Sequence, residues 1–433
     1  MSPRGPGSHR GGTHPSAVPS HSPCISSGRT CPAPFRIGPG PFEGIGRTWE
    51  DSLTSDNAWT THNSSGALRV VVTKQLPGDR WLEILTQAGC RVEVYTRTDI
   101  LRSDEIKAAI GGRCDAAIGQ LTEPWNADLL AALKAAGGRA YSNYAVGYNN
   151  VDVEAATRLG LPVGNTPGVL TETTAEMTVA LTFAAARRVV EADRFMRAGL
   201  FQGWLPTLFL GELLWRKTLG IIGAGRIGSA YARMMVEGHK MNLIYYDPHQ
   251  NGELEDYICA YGDFLTQHGE QPVTYHRATQ VEEVFAEADL LSLHPALDPS
   301  THHLVNAERL SRMKPNAILV NASRGPVVDE AALVEHCRTH PDFRAGLDVF
   351  EDEPAMQPGL ADLDNVVVVP HIASATSWTR QGMATLAAGN VAAILLGYPA
   401  WPSADISAFL GDNPPKAAPS IVNASALGLP TFE

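Results

Sequence analysis

An alternation of apolar runs with amphipathic stretches begins at Leu68. Leu68–Thr73 (LRVVVT) is rich in β-branched residues and reads as a strand. Arg80–Ala88 carries helical spacing, and Arg91–Tyr95 reads as a second strand. Ser103–Ile110 opens with a serine followed by acids, which is a helix-start signal. Asp115–Gly119 then reads as a strand, Leu129–Ala136 as a helix and Arg139–Ser142 as a strand. Strands alternating with helices imply a parallel sheet. A second alternation runs from Thr218 to Ala373. Between the two lies Glu172–Leu200, a long run of good helix formers that predicts one connecting helix. The expected class is therefore α/β, with two units built on parallel sheets.

Length and charge narrow this picture. A chain of 433 residues suggests two or three domains. The formal net charge of −12 argues against nucleic acid or an anionic membrane surface as partner, since both ask for a basic face. No apolar run reaches the ~18 residues that a spanning helix needs. The six cysteines include no C-x-x-C pair, so a disulfide scaffold and a structural zinc site are not expected, and no metal is predicted. This usage predicts a reduced, intracellular compartment.

Residues 1–66 stand apart. The first 47 carry five arginines, no lysine and one acid, Glu43, among many Pro, Gly and Ser. Such a composition buries too little apolar surface to order itself, and it has the bias of an organelle transit peptide. The expectation is a disordered leader over 1–66 directing the chain to the mitochondrion, with the chloroplast as alternative. Because 1–66 holds five positive and four negative residues, the acidity belongs to the body of the chain.

The strand Lys217–Ile222 runs into Gly223-Ala-Gly225-Arg226-Ile227-Gly228, and Ser229–Val236 continues in a helical pattern. This is G-x-G-x-x-G in the strand–turn–helix setting that a dinucleotide requires. The first glycine allows the tight turn, the second lets a pyrophosphate approach the backbone, and the third lets helix and strand pack closely. The next strand, Asn242–Tyr246, ends at Asp247, 19 residues after Gly228. An acid there suits the ribose hydroxyls of NAD and repels a 2′-phosphate, so NADH is expected over NADPH. Pro248 and His249 supply no fixed cation to reverse that preference.

Three later strands end in polar residues. Asn316–Asn321 leads to Ala322-Ser323-Arg324. Arg344–Leu347 leads to Asp348 and then to Glu351, Asp352 and Glu353. Asn365–Val369 leads to Pro370-His371. Ligands of open α/β sheets bind beyond the carboxyl ends of strands, so an arginine, a glutamate and a histidine are expected to share one crevice. Arginine grips a carboxylate with paired hydrogen bonds, histidine exchanges a proton near neutrality, and a carboxylate favours the imidazolium. The set suits hydride transfer from NADH to a 2-keto acid.

These segments resemble the D-isomer-specific 2-hydroxyacid dehydrogenases, closely their plant-type NADH-dependent hydroxypyruvate reductase branch. The resemblance spans about Leu68 to Pro430. It is carried by Asn143–Asp152 (NYAVGYNNVD), Val163–Glu176 (VGNTPGVLTETTAE), Gly223–Met235 (GAGRIGSAYARMM), Leu319–Glu330 (LVNASRGPVVDE), Gly346–Pro354 (GLDVFEDEP) and Val369–Ser374 (VPHIAS). It implies two Rossmann-like domains with the active site in the cleft between them. The substrate domain would hold residues 67–170 plus 375–433, and the NAD-binding domain residues 171–374. It implies Arg324, Glu353 and His371 as catalytic residues. Gly223, Gly225, Arg226, Ile227, Gly228, Asp247, Ala322, Ser323 and Asp348 would bind cofactor, with Asp348 near the nicotinamide carboxamide. Val146 and Gly147 would join Arg324 on the substrate carboxylate. The implied activity is reduction of hydroxypyruvate to D-glycerate, and of glyoxylate to glycolate, in a photorespiratory setting. A homodimer through the NAD-binding domain is implied, with Phe201–Trp215 as its arm. The plant enzymes end in a peroxisomal tripeptide and this chain ends Pro-Thr-Phe-Glu, so a peroxisomal address is not expected. Two other readings are a non-catalytic NAD-sensing corepressor and a phosphoglycerate-type dehydrogenase. The latter needs a phosphate-binding cation that Asn143–Asp152 does not offer.

Overall fold

The computed structural model describes residues 58–433, in which the chain builds two sheets. The first contains β1 (Trp59–His62), β2 (Leu68–Val72), β3 (Cys90–Tyr95), β4 (Ala116–Gly119), β5 (Ala140–Asn143) and β6 (Val163–Gly164) in the order β1-β3-β2-β4-β5-β6. All pairs are parallel except β1–β3, where Trp59 lies opposite Tyr95. Helices α1 (Arg80–Gln87), α2 (Ser103–Ile110), α3 (Ala127–Ala135) and α4 (Val153–Arg158) supply the crossovers. The leader boundary at residue 66 is thus corrected. Residues 59–62 pair as an edge strand whose Trp59 ring packs on Tyr95 at 5.2 Å. Four residues that alternate with polar neighbours carry too little pattern to be seen without their partner strand. The rest of the expected leader, residues 1–57, lies outside the described residues.

The connector is two helices, α5 (Thr171–Ala186) and α6 (Val189–Arg197), not one. Arg188 between them sits at φ +54, in the left-handed region, and this breaks the run. Three buried threonines of α5 point inward. Thr178 and Thr182 return their hydroxyls to carbonyls one turn back, and Thr182 also shares a 2.6 Å hydrogen bond with the Tyr231 hydroxyl. Satisfied this way, the hydroxyls escape the cost of unpaired burial.

The second sheet holds β7 (Thr218–Ile222), β8 (Asn242–Tyr246), β9 (Tyr275–Arg277), β10 (Leu290–Leu293), β11 (Ile318–Asn321), β12 (Arg344–Leu347) and β13 (Val366–Val368). Its order is β13-β12-β11-β10-β7-β8-β9, and every pair is parallel. The direction of winding reverses between β7 and β10, where open sheets of this kind take their ligands. Helices α7 (Arg226–His239), α8 (Gly252–Gln267), α9 (Val281–Glu287), α10 (Ala307–Leu310) and α11 (Glu330–Thr339) connect the strands. A last helix, α12 (Ser377–Leu395), returns to the first sheet and packs on α1, β4 and β5. Its Met383, Ala384, Leu386, Ala387, Ala388 and Val391 are buried there with Val70, Val72 and Val92. Each fully buried Val or Leu contributes about 1.5–3 kcal/mol, so this contact fixes the returning segment on its sheet. Among the described residues no helix is long and apolar enough to cross a membrane.

The segment 250–277 has a structural role that its sequence did not disclose. It forms α8 and the edge strand β9. Asn251 caps α8 by accepting from the Leu254 N–H at 2.9 Å. Its amide donates back to the Ala224 carbonyl at 2.7 Å and to Ser229 Oγ at 2.9 Å. The insertion therefore braces the glycine-rich turn.

Candidate active site

The glycine-rich turn shows why each glycine stands where it does. A Cβ on Gly228 would lie 2.1 Å from the Gly223 carbonyl oxygen, and one on Gly223 would lie 2.6 Å from the His294 carbonyl carbon. Gly225, by contrast, faces open space at the N-terminus of α7. The N–H groups of the first turn have no partner within a helix, so an anion is favoured there. The turn therefore fits a dinucleotide pyrophosphate, with Arg226 exposed beside it and Ile227 half-buried. At the end of β8, Asp247 accepts from the Ala224 N–H at 2.9 Å through Oδ2 and from the His249 N–H at 2.8 Å through Oδ1. A cation does reach this corner, from thirty residues away. Arg277 of β9 donates to the carbonyls of Asp247 and Pro248, at 3.2 Å each.

A cavity of about 530 Å³ opens between the loops of the two sheets. Val146, Gly147, Ile227, Ala322, Ser323, Arg324 and His371 all line it, so residues from across the chain meet in one place. Arg324 follows β11, where Asn321 clamps the turn. The Asn321 amide donates to the Arg324 carbonyl at 2.9 Å, and its oxygen accepts from the Ser323 N–H and hydroxyl. Burial draws the guanidinium pKa down from its usual value, while Glu353 opposes that. Beneath it Gly147 leaves room for the guanidinium, since a Cβ there would sit 1.7 Å from Arg324 Nη2 and the side chain would have to move. Gly147→Ala is therefore expected to displace the guanidinium and cut kcat/KM by about 100-fold or more, the cost of a misplaced group next to the chemistry. A variant within threefold of the parent enzyme would show that the guanidinium does not need this seat. Among the described residues, the N–H groups of Val146 and Gly147 donate to no protein acceptor. They are free to meet a ligand oxygen.

His371 ends the turn after β13 at φ +52, a conformation that histidine enters more readily than most residues. Its Nδ1 lies 2.9 Å from Glu353 Oε2. Burial pushes the Glu353 carboxyl up. The hydrogen bond and charge of His371, the Phe350 N–H and Arg324 outweigh this and hold it below the usual carboxylate value. Of the three neighbouring acids, only Glu353 turns to the histidine. Glu351 faces His303 at 2.5 Å and the Glu330 N–H at 3.3 Å.

Asp348, the acid implied near the nicotinamide carboxamide, follows directly on β12. It is fully buried behind the cavity wall, and its two oxygens accept from the N–H groups of Ile372 at 2.6 Å and Ala373 at 2.9 Å. Burial raises its pKa, against the pull of those two N–H groups and of His371. The carboxyl thus holds the turn that carries the histidine. The cavity also includes Leu121, Asn149, Thr174, His294 and Met383, which the sequence reading did not single out. Only His294 had a visible signal, its place at the end of the apolar strand β10. Burial pulls its pKa to about 3, so the ring is neutral near pH 7, and its Nε2 pairs with Ser292 Oγ at 2.9 Å.

Residues 179–373 match the family profile described as D-isomer specific 2-hydroxyacid dehydrogenase, NAD binding domain. A protein of Arabidopsis thaliana named glycerate dehydrogenase HPR, peroxisomal, is 62% identical over 373 residues, which is 85% of this chain and 97% of that enzyme. The chain belongs to the D-isomer specific 2-hydroxyacid dehydrogenases. A glyoxylate reductase of Thermococcus litoralis is 46% identical over 261 residues, 59% of this chain and 73% of the relative. Among solved structures, a Thermus thermophilus protein superposes with a TM-score of 0.67 at 37% identity, over 82% of this chain and 100% of that one. This D-2-hydroxyacid dehydrogenase is thus an NAD-dependent oxidoreductase of two Rossmann-like domains, with its site in the cleft between them. The same comparison corrects the expected address. A relative at 62% identity is peroxisomal by name, which points away from the mitochondrion and from the chloroplast. An arginine-rich, acid-poor stretch is a compositional bias, and composition alone does not specify an import route.

Proposed function

We propose that the enzyme reduces hydroxypyruvate to D-glycerate with NADH, and glyoxylate to glycolate by the same steps, in a peroxisomal, photorespiratory setting. The observation that carries this is the convergence of Arg324 and the Glu353–His371 pair on one cavity beside the dinucleotide turn. The names of the Arabidopsis and Thermococcus relatives supply the two substrates.

The proposed roles are as follows. Arg324 and the N–H groups of Val146 and Gly147 hold the substrate carboxylate. NADH, when bound, supplies the hydride to C2. His371 donates its Nε2 proton to the keto oxygen as that oxygen gains charge, which completes the C–OH group. Glu353 keeps the ring oriented and favours its charged form before transfer. The N–H groups of Gly225 to Gly228 and the Arg226 side chain bind pyrophosphate, Asp247 binds the ribose, and Ala322 and Ser323 border the nicotinamide end. Asp348 acts there through the His371 turn. The NAD-binding half takes in 171–374, and the substrate half 67–170 with 375–433 and the added strand β1. A homodimer through the NAD-binding half is supported by exposed apolar side chains on Phe201–Trp215, where Trp204 is 82% exposed beside Leu205, Leu210 and Leu213.

The test is NADH oxidation with hydroxypyruvate, glyoxylate and pyruvate in parallel. Hydroxypyruvate and glyoxylate should both turn over well above pyruvate. NADH binding without turnover of either would overturn the reading in favour of a non-catalytic NAD sensor.

The cofactor preference gives a second prediction. Asp247→Ala removes the charge that repels a 2′-phosphate and leaves Arg277 nearby. The ratio of kcat/KM for NADH over NADPH should fall by about tenfold or more. A ratio that stays put would place the discrimination elsewhere.

A further inference from the structure

The Arg324 guanidinium has five N–H donors, and the protein uses them unequally. Nη1 donates to the Ser323 carbonyl at 2.7 Å, and Nε donates to Asn149 Oδ1 at 3.0 Å. Among the described residues Nη2 donates to no protein atom. Asn149 comes from the loop after β5 in the first sheet, and Arg324 from the turn after β11 in the second. Their hydrogen bond therefore crosses the cleft. The Asn149 loop is itself pinned. The Asn150 amide donates to the carbonyls of Gln120 and Glu123 at 3.0 Å each, and the Asn143 amide donates to Gly147 O and Asn150 Oδ1 at 3.0 Å each.

We infer that Asn149 is a positioning residue for Arg324, a latch across the cleft that turns the guanidinium so that Nη2 faces the substrate. This rests on the assignment of Arg324 to the substrate carboxylate. The physical reason is geometric. A guanidinium is planar, so fixing Nε by one bond and Nη1 by another sets the direction of the remaining N–H groups without touching them. Because the two partners sit on different sheets, the bond forms only when the halves are close. Closure and arrangement of the carboxylate grip then occur together, and less rotational freedom is lost when substrate binds.

The test compares Asn149→Leu, which has similar bulk and no acceptor, with Asn149→Asp, which keeps an acceptor oxygen. Asn149→Leu should raise KM for hydroxypyruvate about tenfold, the scale of one hydrogen bond to a charged group, with kcat changed less than about threefold. Asn149→Asp should restore KM to within about threefold of the parent, and the Kd for NADH should stay unchanged in both. A second readout needs no turnover. Oxamate carries the same carboxylate and cannot be reduced, and its affinity for the enzyme–NADH complex should fall in Asn149→Leu by the same factor as the rise in KM. If neither keto acid is reduced by the parent enzyme, the oxamate series still reports on Arg324, so the two readings fail separately. KM and oxamate affinity within twofold of the parent in Asn149→Leu would overturn the inference. So would an Asn149→Asp variant as impaired as Asn149→Leu. Should the leucine variant not fold, Asn149→Ser, too short to reach Nε, takes its place with the same expected outcomes.

Discussion

Replacing His371 with alanine is expected to lower kcat by about 10²–10⁴-fold, the usual worth of general acid–base help. The reduction needs a proton on the keto oxygen as hydride arrives at carbon. Of the titratable side chains lining the cavity, His371 alone is paired with a carboxylate, at 2.9 Å through Nδ1. That bond occupies one ring nitrogen and leaves Nε2 for the substrate. His294, the other histidine on the cavity, is held neutral by burial, which pulls it to about 3, and is a poor proton source near pH 7. The loss should appear in kcat at saturating NADH and hydroxypyruvate, with the Kd for NADH unchanged. A kcat within tenfold of the parent would remove His371 from the chemistry. Glu353 adds a sign. Its carboxyl lies below its ordinary value of 4.5, so whatever stability the pair contributes is present above about pH 4.5. That contribution is lost as pH falls through the lowered value.

Much of this site was visible in the chain before any fold was known. The strands that end at Asp247, at Arg324 and at His371 are short, apolar and bounded by polar residues, so a local pattern suffices to find them. β8 spans Asn242–Tyr246, as its pattern predicts. What the pattern missed was set by distant partners. β1 exists because β3 offers it an edge. Arg188 breaks the connecting helix although its neighbours are good helix formers. Arg277 reaches the corner of Asp247 only because β9 is laid beside β8. Asn149 shows the same limit at the site itself. Sequence proximity suggests a ligand for each polar side chain near a motif. Only the packed structure tells which ones face the cavity and which hold another residue in place.

The second large effect concerns Arg324, where lysine keeps the charge and loses the fork. Arg324→Lys is expected to raise KM for hydroxypyruvate by about 10–100-fold, the range for losing one or two charge-assisted hydrogen bonds. The geometry makes the substitution worse than the loss of planarity alone. The Asn149 carboxamide oxygen and the Ser323 carbonyl now take Nε and Nη1 of the arginine. A lysine ammonium has three protons on one nitrogen, and those two acceptors would compete with the substrate for all of them. The site also disfavours a compact charge, because burial already draws the arginine pKa down. A buried lysine titrates far more readily, so the KM of the variant should climb as pH rises while that of the parent stays flat. The measurement is KM against pH for both proteins at saturating NADH. Equal KM values, or parallel pH profiles, would show that the carboxylate is held by the backbone N–H groups of Val146 and Gly147 without the arginine.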